Sequence, residues 1–456
     1  MPKDRTRDMT VGAPMPILLS FILPLLLGLL FQQFYAMVDT VVVGNFLGME
    51  ALAGVGSTGS INFLVLGLCN GVCAGFAIPV AQKFGEKDFD GLRNFVGNMI
   101  WLGGFIALVV TAVTTVGCRA ILTAMDTPES TFSYAYDYIF LIFLGIPATM
   151  LYNLLSSILR SLGDSRTPLM FLVFSSLLNV ALDIVCVVTL QMGVAGAGWA
   201  TLISQLISGL LCLLYMGRKF PILHLKRENL VWRGHCVRRL LIMGLPMGLQ
   251  YSITAIGSIL LQTAVNGLGA VSMAAVAASG KVTGLFASPY DAMGTMAATY
   301  AGQNLGAGKL DRVHHGVKDC CILGVAYSLA ALVVMYFLGA QMTALFLDSK
   351  DVASSAQILP LARQLLVTNA AFYIPLLGVN LFRFTIQGLG YSNLAVIAGV
   401  SEMIARGAVA ALVSVFGFTA VCYASPAAWV LADCFLLPAY FVCMKRRTKE
   451  AAAARE

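Results

Sequence analysis

The sequence predicts an all-α integral membrane protein with twelve transmembrane helices in two six-helix, pseudo-symmetric lobes. Three observations carry that expectation. First, 59% of the 456 residues are hydrophobic, only 11% are charged, and the mean hydropathy is +0.84, whereas soluble domains carry roughly a quarter charged residues. Second, apolar runs repeatedly reach the ~20 residues that cross ~30 Å of hydrocarbon as a helix. Third, related phrases recur 221 to 227 residues apart. A water-soluble enzyme is excluded, and no large soluble domain is left over.

Taken in order, helix one is expected over 15–42 and contains Pro24 and Asp39. Helices two and three, 52–81 and 94–117, flank a connection at 82–93 that holds Lys83, Lys87 and Arg93. Helix four, 132–159, leads into a connection at 160–166 that holds Arg160 and Arg166. Helix five, 168–190, carries Asn179 and Asp183; helix six, 194–217, carries Gly-Ala-Gly at 196–198, which contains no phosphate-loop pattern, and Thr201. The longest connection, 218–239, has seven basic residues and one acid and divides the chain in two. Six more runs follow at 240–265, 270–301, 316–341, 357–386, 391–416 and 420–444. Each is assigned as a helix because backbone facing lipid must satisfy its own hydrogen bonds. The expected organisation is an N-lobe at 1–222, a cytoplasmic interlobe linker at 223–239, a C-lobe at 240–444 and a cytoplasmic tail at 445–456.

Charge placement tests the count. Twenty-four of 29 Lys and Arg fall in the N-terminus, in alternate connections (82–93, 160–166, 218–239, 309–318 and Arg383) or in the tail from Lys445. Arg119 and Lys350 fall on the other side, and Lys281, Arg363 and Arg406 fall within helices. Both termini are therefore expected to be cytoplasmic in a multi-pass cell membrane protein. The net charge of +7 is accounted for by basic loops facing an anionic leaflet, with no nucleic-acid partner. The apolar run Ile17–Leu30 continues past a cleavable length, so it is not read as a signal peptide. The eleven cysteines and four histidines lack disulfide or metal spacing, and neither a structural metal nor a cofactor is expected.

The repeat is read from Leu23-Pro24 against Leu245-Pro246, Leu47-Gly48 against Leu268-Gly269, and Gln82-Lys-Phe-Gly85 against Gln303-Asn-Leu-Gly306. Leu162-Gly163-Asp-Ser165 matches Leu389-Gly390-Tyr-Ser392. Six helices per copy preserve orientation, an arrangement known among transporters with parallel repeats.

Ionisable groups within hydrocarbon are functional candidates by default. In the first half only acids lie deep in helices. Asn179 and Asp183 share one face of helix five at i,i+4 spacing. Asp183 lies about 22 Å from the inner end of its helix and Thr201 about 10 Å from the outer end of the next, and Asp39 lies toward the same side. Two carboxylates, an amide and a hydroxyl suit Na⁺ or a shared proton. Pro24 favours a bend in helix one. In the second half Lys281, Glu402, Arg406 and Asp433 are expected to form an internally paired structural cluster, with Glu402 and Arg406 at i,i+4; no role is assigned to Asp291. Side chains near Gln32, Phe34, Tyr35 and Met37 form an aromatic and Met-rich stripe.

With these residues in view, the sequence resembles the multidrug and toxic compound extrusion (MATE) family, in its DinF-like branch. The resemblance covers nearly the whole chain. It rests on the two halves, Pro24, Asp39, Asn179-x-x-x-Asp183, Thr201, Arg160-Ser-Leu-Gly-Asp164 and Gly302-Gln-Asn-Leu-Gly-Ala-Gly308. It implies a monomeric efflux transporter that exports organic cations or amphipathic drugs by antiport with H⁺ or Na⁺, through alternating access of a cleft between the lobes. It also implies a cation site at Asp39, Asn179, Asp183 and Thr201, with Gln32, Tyr35, Tyr138 and Asn153 in a polar network or drug cavity. The chain departs from the NorM-like pattern of C-lobe acids, offering Gln250, Gln262 and Arg363 instead. Two rivals remain at this point: a lipid-linked precursor flippase of the same broader superfamily, and an intramembrane aspartyl protease suggested by Tyr136-Asp137 and Asp164.

Overall fold

The computed structural model describes residues 6–125, 127–347 and 352–453, excluding the side chains at 36, 37, 39–41, 45, 49 and 352–355. Fifteen α-helices account for most of the described residues, with no strand among them. They are α1 (Pro14–Leu47), α2 (Met49–Ser57), α3 (Gly59–Glu86), α4 (Phe89–Ala124), α5 (Glu129–Leu144), α6 (Ile146–Ser161), α7 (Arg166–Asp183) and α8 (Val194–Lys219). The remaining seven are α9 (Gly234–Asn266), α10 (Ala270–Gly306), α11 (Leu310–Ala344), α12 (Val352–Ala371), α13 (Tyr373–Gly388), α14 (Ser392–Phe416) and α15 (Phe418–Ala453).

Among the described residues, ten spans are long and apolar enough to cross a membrane, and twelve result when two bent pairs each count as one. Those pairs are α5 with α6, bent by 47° at Gly145, and α12 with α13, bent by 51° at Phe372. The sequence reading took each pair as one unbroken helix. Tertiary contact decides the break, because an apolar run has the same composition whether straight or bent. Helix α7 also ends differently from expectation: Ile184–Thr189 form a π-helical turn, with Leu190 N–H donating to Val185 O at 2.8 Å.

The chain forms two compact units. Unit 1 comprises Met1–Val11 and Leu23–Gly248; unit 2 comprises Gly12–Ile22 and Leu249–Glu456. Two of the three unit boundaries thus fall inside a long helix near a proline, Pro24 in α1 and Pro246 in α9; the third, between Val11 and Gly12, precedes α1.

In unit 1, α3 packs on α6 and α4, α5 on α8 and α2, and α7 on α8, around a core that includes Phe76, Met99, Ile139 and Phe143. Helices α3 and α9 cross with their backbones in contact. A Cβ at Gly75 would lie 2.6 Å from Gly244 Cα, so Gly71-x-x-x-Gly75 faces Gly244-x-x-x-Gly248 in the small-residue packing common between membrane helices. The segment expected as a linker is strapped to α4. Arg93 Nε–H donates to Ile222 O at 3.0 Å, Trp101 Nε1–H to Leu230 O at 2.9 Å, and Arg233 N–H to Asn98 Oδ1 at 2.9 Å.

In unit 2, α14 packs on α15, α10 on α13 and α11 on α12. Buried Tyr290 stacks edge-on with Tyr373 and bonds Ser328 Oγ at 2.8 Å. The expected tail at 445–456 continues α15 as helix to Ala453, and Arg447 donates to Leu389 O from Nε at 3.0 Å and Nη2 at 2.7 Å.

The repeat is visible in the backbone itself. Left-handed residues pair across the halves: Gly48 (φ 87°) with Gly269 (90°), Gly163 (83°) with Gly390 (90°), and Gly193 (63°) with Gly417 (60°). Glycine occupies all six because a Cβ is disfavoured there.

Candidate functional site

Helices α7 and α8 build the heart of the site. Asn179 and Asp183 lie one turn apart on α7, and both are essentially inaccessible. Across the helix pair, Asn179 Nδ2–H donates to Thr201 Oγ1 at 3.2 Å. Small residues at the start of α8 permit this approach: Gly196 abuts the backbone of Cys186, and Gly198 abuts Leu141 of α5. The Gly-Ala-Gly run is therefore a packing device. Asp183 is the last α-helical residue before the π turn. Single π turns inside helices recur at functional sites, and this one has no signature in the residue pattern.

Thr201 is the link to solvent-sized space. It lines a cavity of about 270 Å³ within unit 1, together with Gln32 and Tyr35 of α1, Tyr138 of α5 and Asn153 of α6. The structure thus brings four polar-network candidates to one cavity wall shared with Thr201. Asn153 Nδ2–H donates to Asn70 Oδ1 of α3 at 2.6 Å. Asp39 lies on α1, but its side chain is outside the described residues, as are the side chain of Met37 and all of Lys350. Pro24 sits within the continuous helix α1.

Sequence reasoning missed Asn62, Asn70, Thr149 and Gln205, which also line the cavity. Asn62 Oδ1 and Gln205 Oε1 are buried acceptors with no hydrogen-bond partner among the described residues. Neutral amides in apolar helices were the available signal, and attention to ionisable groups alone passed over them.

In unit 2 the expected cluster is corrected in two respects. Lys281 is exposed and makes no ion pair among the described residues. Its place is taken by Arg383, which the charge count had assigned to a cytoplasmic connection but which is 6% exposed within α13. Arg383 Nη2 pairs with Glu402 Oε1, and Arg406 Nη2 with Glu402 Oε2 at 3.3 Å. Asp433 packs on the backbone of α13 at Gly378, where a Cβ would collide with its carboxylate. Asp291 lies exposed on α10. Among the described residues no group of His, Cys, Asp and Glu has the arrangement of a metal centre.

The sequence profile of the MatE family matches residues 24–185 and 246–418, beginning in each half at the helix-internal proline. The chain belongs to the MatE family. Among MatE relatives, the probable multidrug resistance protein YpnP of Bacillus subtilis is 28% identical over 383 residues, covering 84% of this chain and 83% of its own. A MATE crystallised in complex with MaL6 shares the fold with a TM-score of 0.88 at 20% identity, covering 98% of this chain and 100% of that one. A MATE in the bent conformation gives 0.87 at 20% identity, covering 97% and 98%. This MatE chain is accordingly a multi-pass membrane transporter of the multidrug efflux family, with a small molecule as its substrate, and not an enzyme. The protease reading also loses its acid. Asp164 is buried and closes the turn before α7, accepting from the N–H groups of Arg166 at 2.9 Å and Thr167 at 3.0 Å.

Proposed function

We propose that the protein is a secondary active exporter of organic cations or amphipathic drugs, driven by antiport of H⁺ or Na⁺ at Asp39, Asn179, Asp183 and Thr201. The observation that carries this reading is the position of Thr201. Its hydroxyl accepts from Asn179, one turn from the buried Asp183, while the same residue lines the polar cavity. A cation reaching Asp183 and a drug entering the cavity therefore act on one shared wall, so the occupancy of one changes the surface offered to the other.

Asn62 and Gln205 supply unpaired acceptors for a cationic or hydrogen-bond-donating substrate, and Tyr35 and Tyr138 supply aromatic faces for cation–π contact. Gln32 and Asn153 complete the polar wall. No cofactor takes part. The alternating-access part of the proposal is supported by two unit boundaries that lie inside helices, near Pro24 and Pro246. A proline inside a helix removes one backbone bond and lowers the cost of bending there. For a change of state to follow cation binding, the cation must bind the two states unequally.

The remaining assignments belong to the same reading: a monomer of the DinF-like branch in the cell membrane, with an N-lobe and a C-lobe of six spans and both termini cytoplasmic. The decisive experiment uses proteoliposomes loaded with a fluorescent organic cation, with a pH gradient or a Na⁺ gradient imposed separately. Transport under one gradient identifies the coupling ion. No transport under either gradient overturns the reading in favour of lipid-linked precursor flipping.

A further inference from the structure

Unit 1 contains a second, larger groove, separate in lining from the polar cavity. Its volume is about 510 Å³, and its walls come from α4, α6, the end of α8 and the segment around Leu223 and Leu225. Val96, Ala107, Leu154 and Ile158 form its buried floor, while Ile100 and Leu108 stand exposed at its edges. The lining is almost wholly apolar, which suits neither the coupling cation nor a charged drug. From Val96 to Leu108 it follows α4 for ~18 Å, comparable with the roughly 15 Å of hydrocarbon in one leaflet.

One end of the groove is basic. Gly217, Leu223 and Leu225 line it there, and the adjoining residues Arg218, Lys219, Lys226 and Arg227 are all exposed. Residues 218–227 contain no acid; the nearest, Glu228, pairs with Lys226 at 3.5 Å. Trp101 of α4, which donates to Leu230 O, is 54% exposed, and Trp232, two residues further along that segment, is 58% exposed; Trp is enriched at the membrane–water boundary. Apolar length, a tryptophan belt and a cluster of four cations occur in the order that a phospholipid presents chain, interface and anionic headgroup.

We propose that this groove binds one acyl chain of an anionic phospholipid, whose headgroup is held by Arg218, Lys219, Lys226 and Arg227. Because α4 is also strapped to the segment 222–233 through Arg93, Trp101 and Asn98, the lipid covers a seam between two parts of the unit that are otherwise joined mainly by main-chain acceptors.

Two variants separate chain from headgroup. Gly104 lines the groove and a Cβ there meets nothing within 4 Å, so Gly104→Ala is the matched control for Gly104→Leu, whose larger side chain takes up groove volume. Replacing Arg218, Lys219, Lys226 and Arg227 together by Gln removes the headgroup cations at exposed positions. The full chain is purified, delipidated and analysed by native mass spectrometry with added phosphatidylglycerol or phosphatidylcholine, using only variants that elute as the wild type does. The wild type and Gly104→Ala should retain one phosphatidylglycerol at least ten-fold better than phosphatidylcholine, as expected when several basic residues meet an anionic headgroup. The Gln variant should retain both equally, and Gly104→Leu should lose the adduct. Equal retention of the two lipids by the wild type overturns the proposal, as does an adduct unaffected by Gly104→Leu. Displacement of the adduct by an organic cation but not by excess phosphatidylglycerol also overturns it, making the groove a substrate site.

Discussion

The Asn179 amide and the Thr201 hydroxyl meet at 3.2 Å across the packing of α7 on α8. This bond joins the turn that carries Asp183 to the wall of the polar cavity. Thr201→Val keeps the side-chain shape and removes the acceptor. It is expected to cost about 1 kcal/mol of stability and to slow cation-driven drug export by ten-fold or more. Thermal unfolding and proteoliposome flux measured on the same preparation check both parts; unchanged flux would remove Thr201 from the coupling site.

Asp183→Asn preserves size and hydrogen-bonding capacity while deleting the carboxylate. Export should be abolished with membrane insertion intact, and the residual flux should no longer respond to either cation gradient. An active variant would refute the assignment.

Glu402 pairs with two buried guanidiniums, one carboxylate oxygen to Arg383 and the other to Arg406. Removing one partner from a buried ionic cluster leaves uncompensated charge, so Glu402→Gln should destabilise the protein by about 3–5 kcal/mol. Replacing all three residues with Met should recover most of that loss, because an apolar core avoids the desolvation cost. Melting temperatures in detergent test this. A stable Glu402→Gln protein combined with lost transport would point to a coupling role for the cluster.

Asp88 lies in the connection between α3 and α4. The ammonium of Lys83 at 2.9 Å and the N–H of Gly91 at 2.8 Å hold its carboxyl below the usual carboxylate range. A group with a depressed folded-state pKa adds stability above its unfolded pKa and loses it as pH falls through the folded value. Asp88→Ala should therefore cost about 1 kcal/mol at neutral pH through loss of the helix N-cap. The gap between variant and wild type should close as pH falls below about 4. Unfolding curves across that range decide it; a gap of constant size would mean that the carboxylate contributes nothing through its charge.

The parts of the site legible in the sequence were those with a charge or a strict spacing. Asp183 stood out because an acid in hydrocarbon is costly, and Asn179 because it lies one turn away. Asn62, Asn70 and Gln205 carry no charge, and nothing local distinguishes an amide facing a cavity from one bonded to a neighbouring helix. Arg383 was misassigned for a related reason. It lies near the expected end of an apolar run, where a cation ordinarily reaches water, and only the packing of α13 against α14 and α15 encloses it with Glu402.

Composition and periodicity alone determined that the chain crosses a membrane many times and that its plan is duplicated. Both depend on transfer free energies and phrase spacing summed along the chain, without reference to which helices meet. Tertiary structure decided the bends at Gly145 and Phe372, the π turn after Asp183, the burial of Arg383 and the cavity that Thr201 of α8 shares with five other helices. Each depends on contacts between residues far apart in sequence, where the cost of burying a polar group is set by the partner that arrives from another helix.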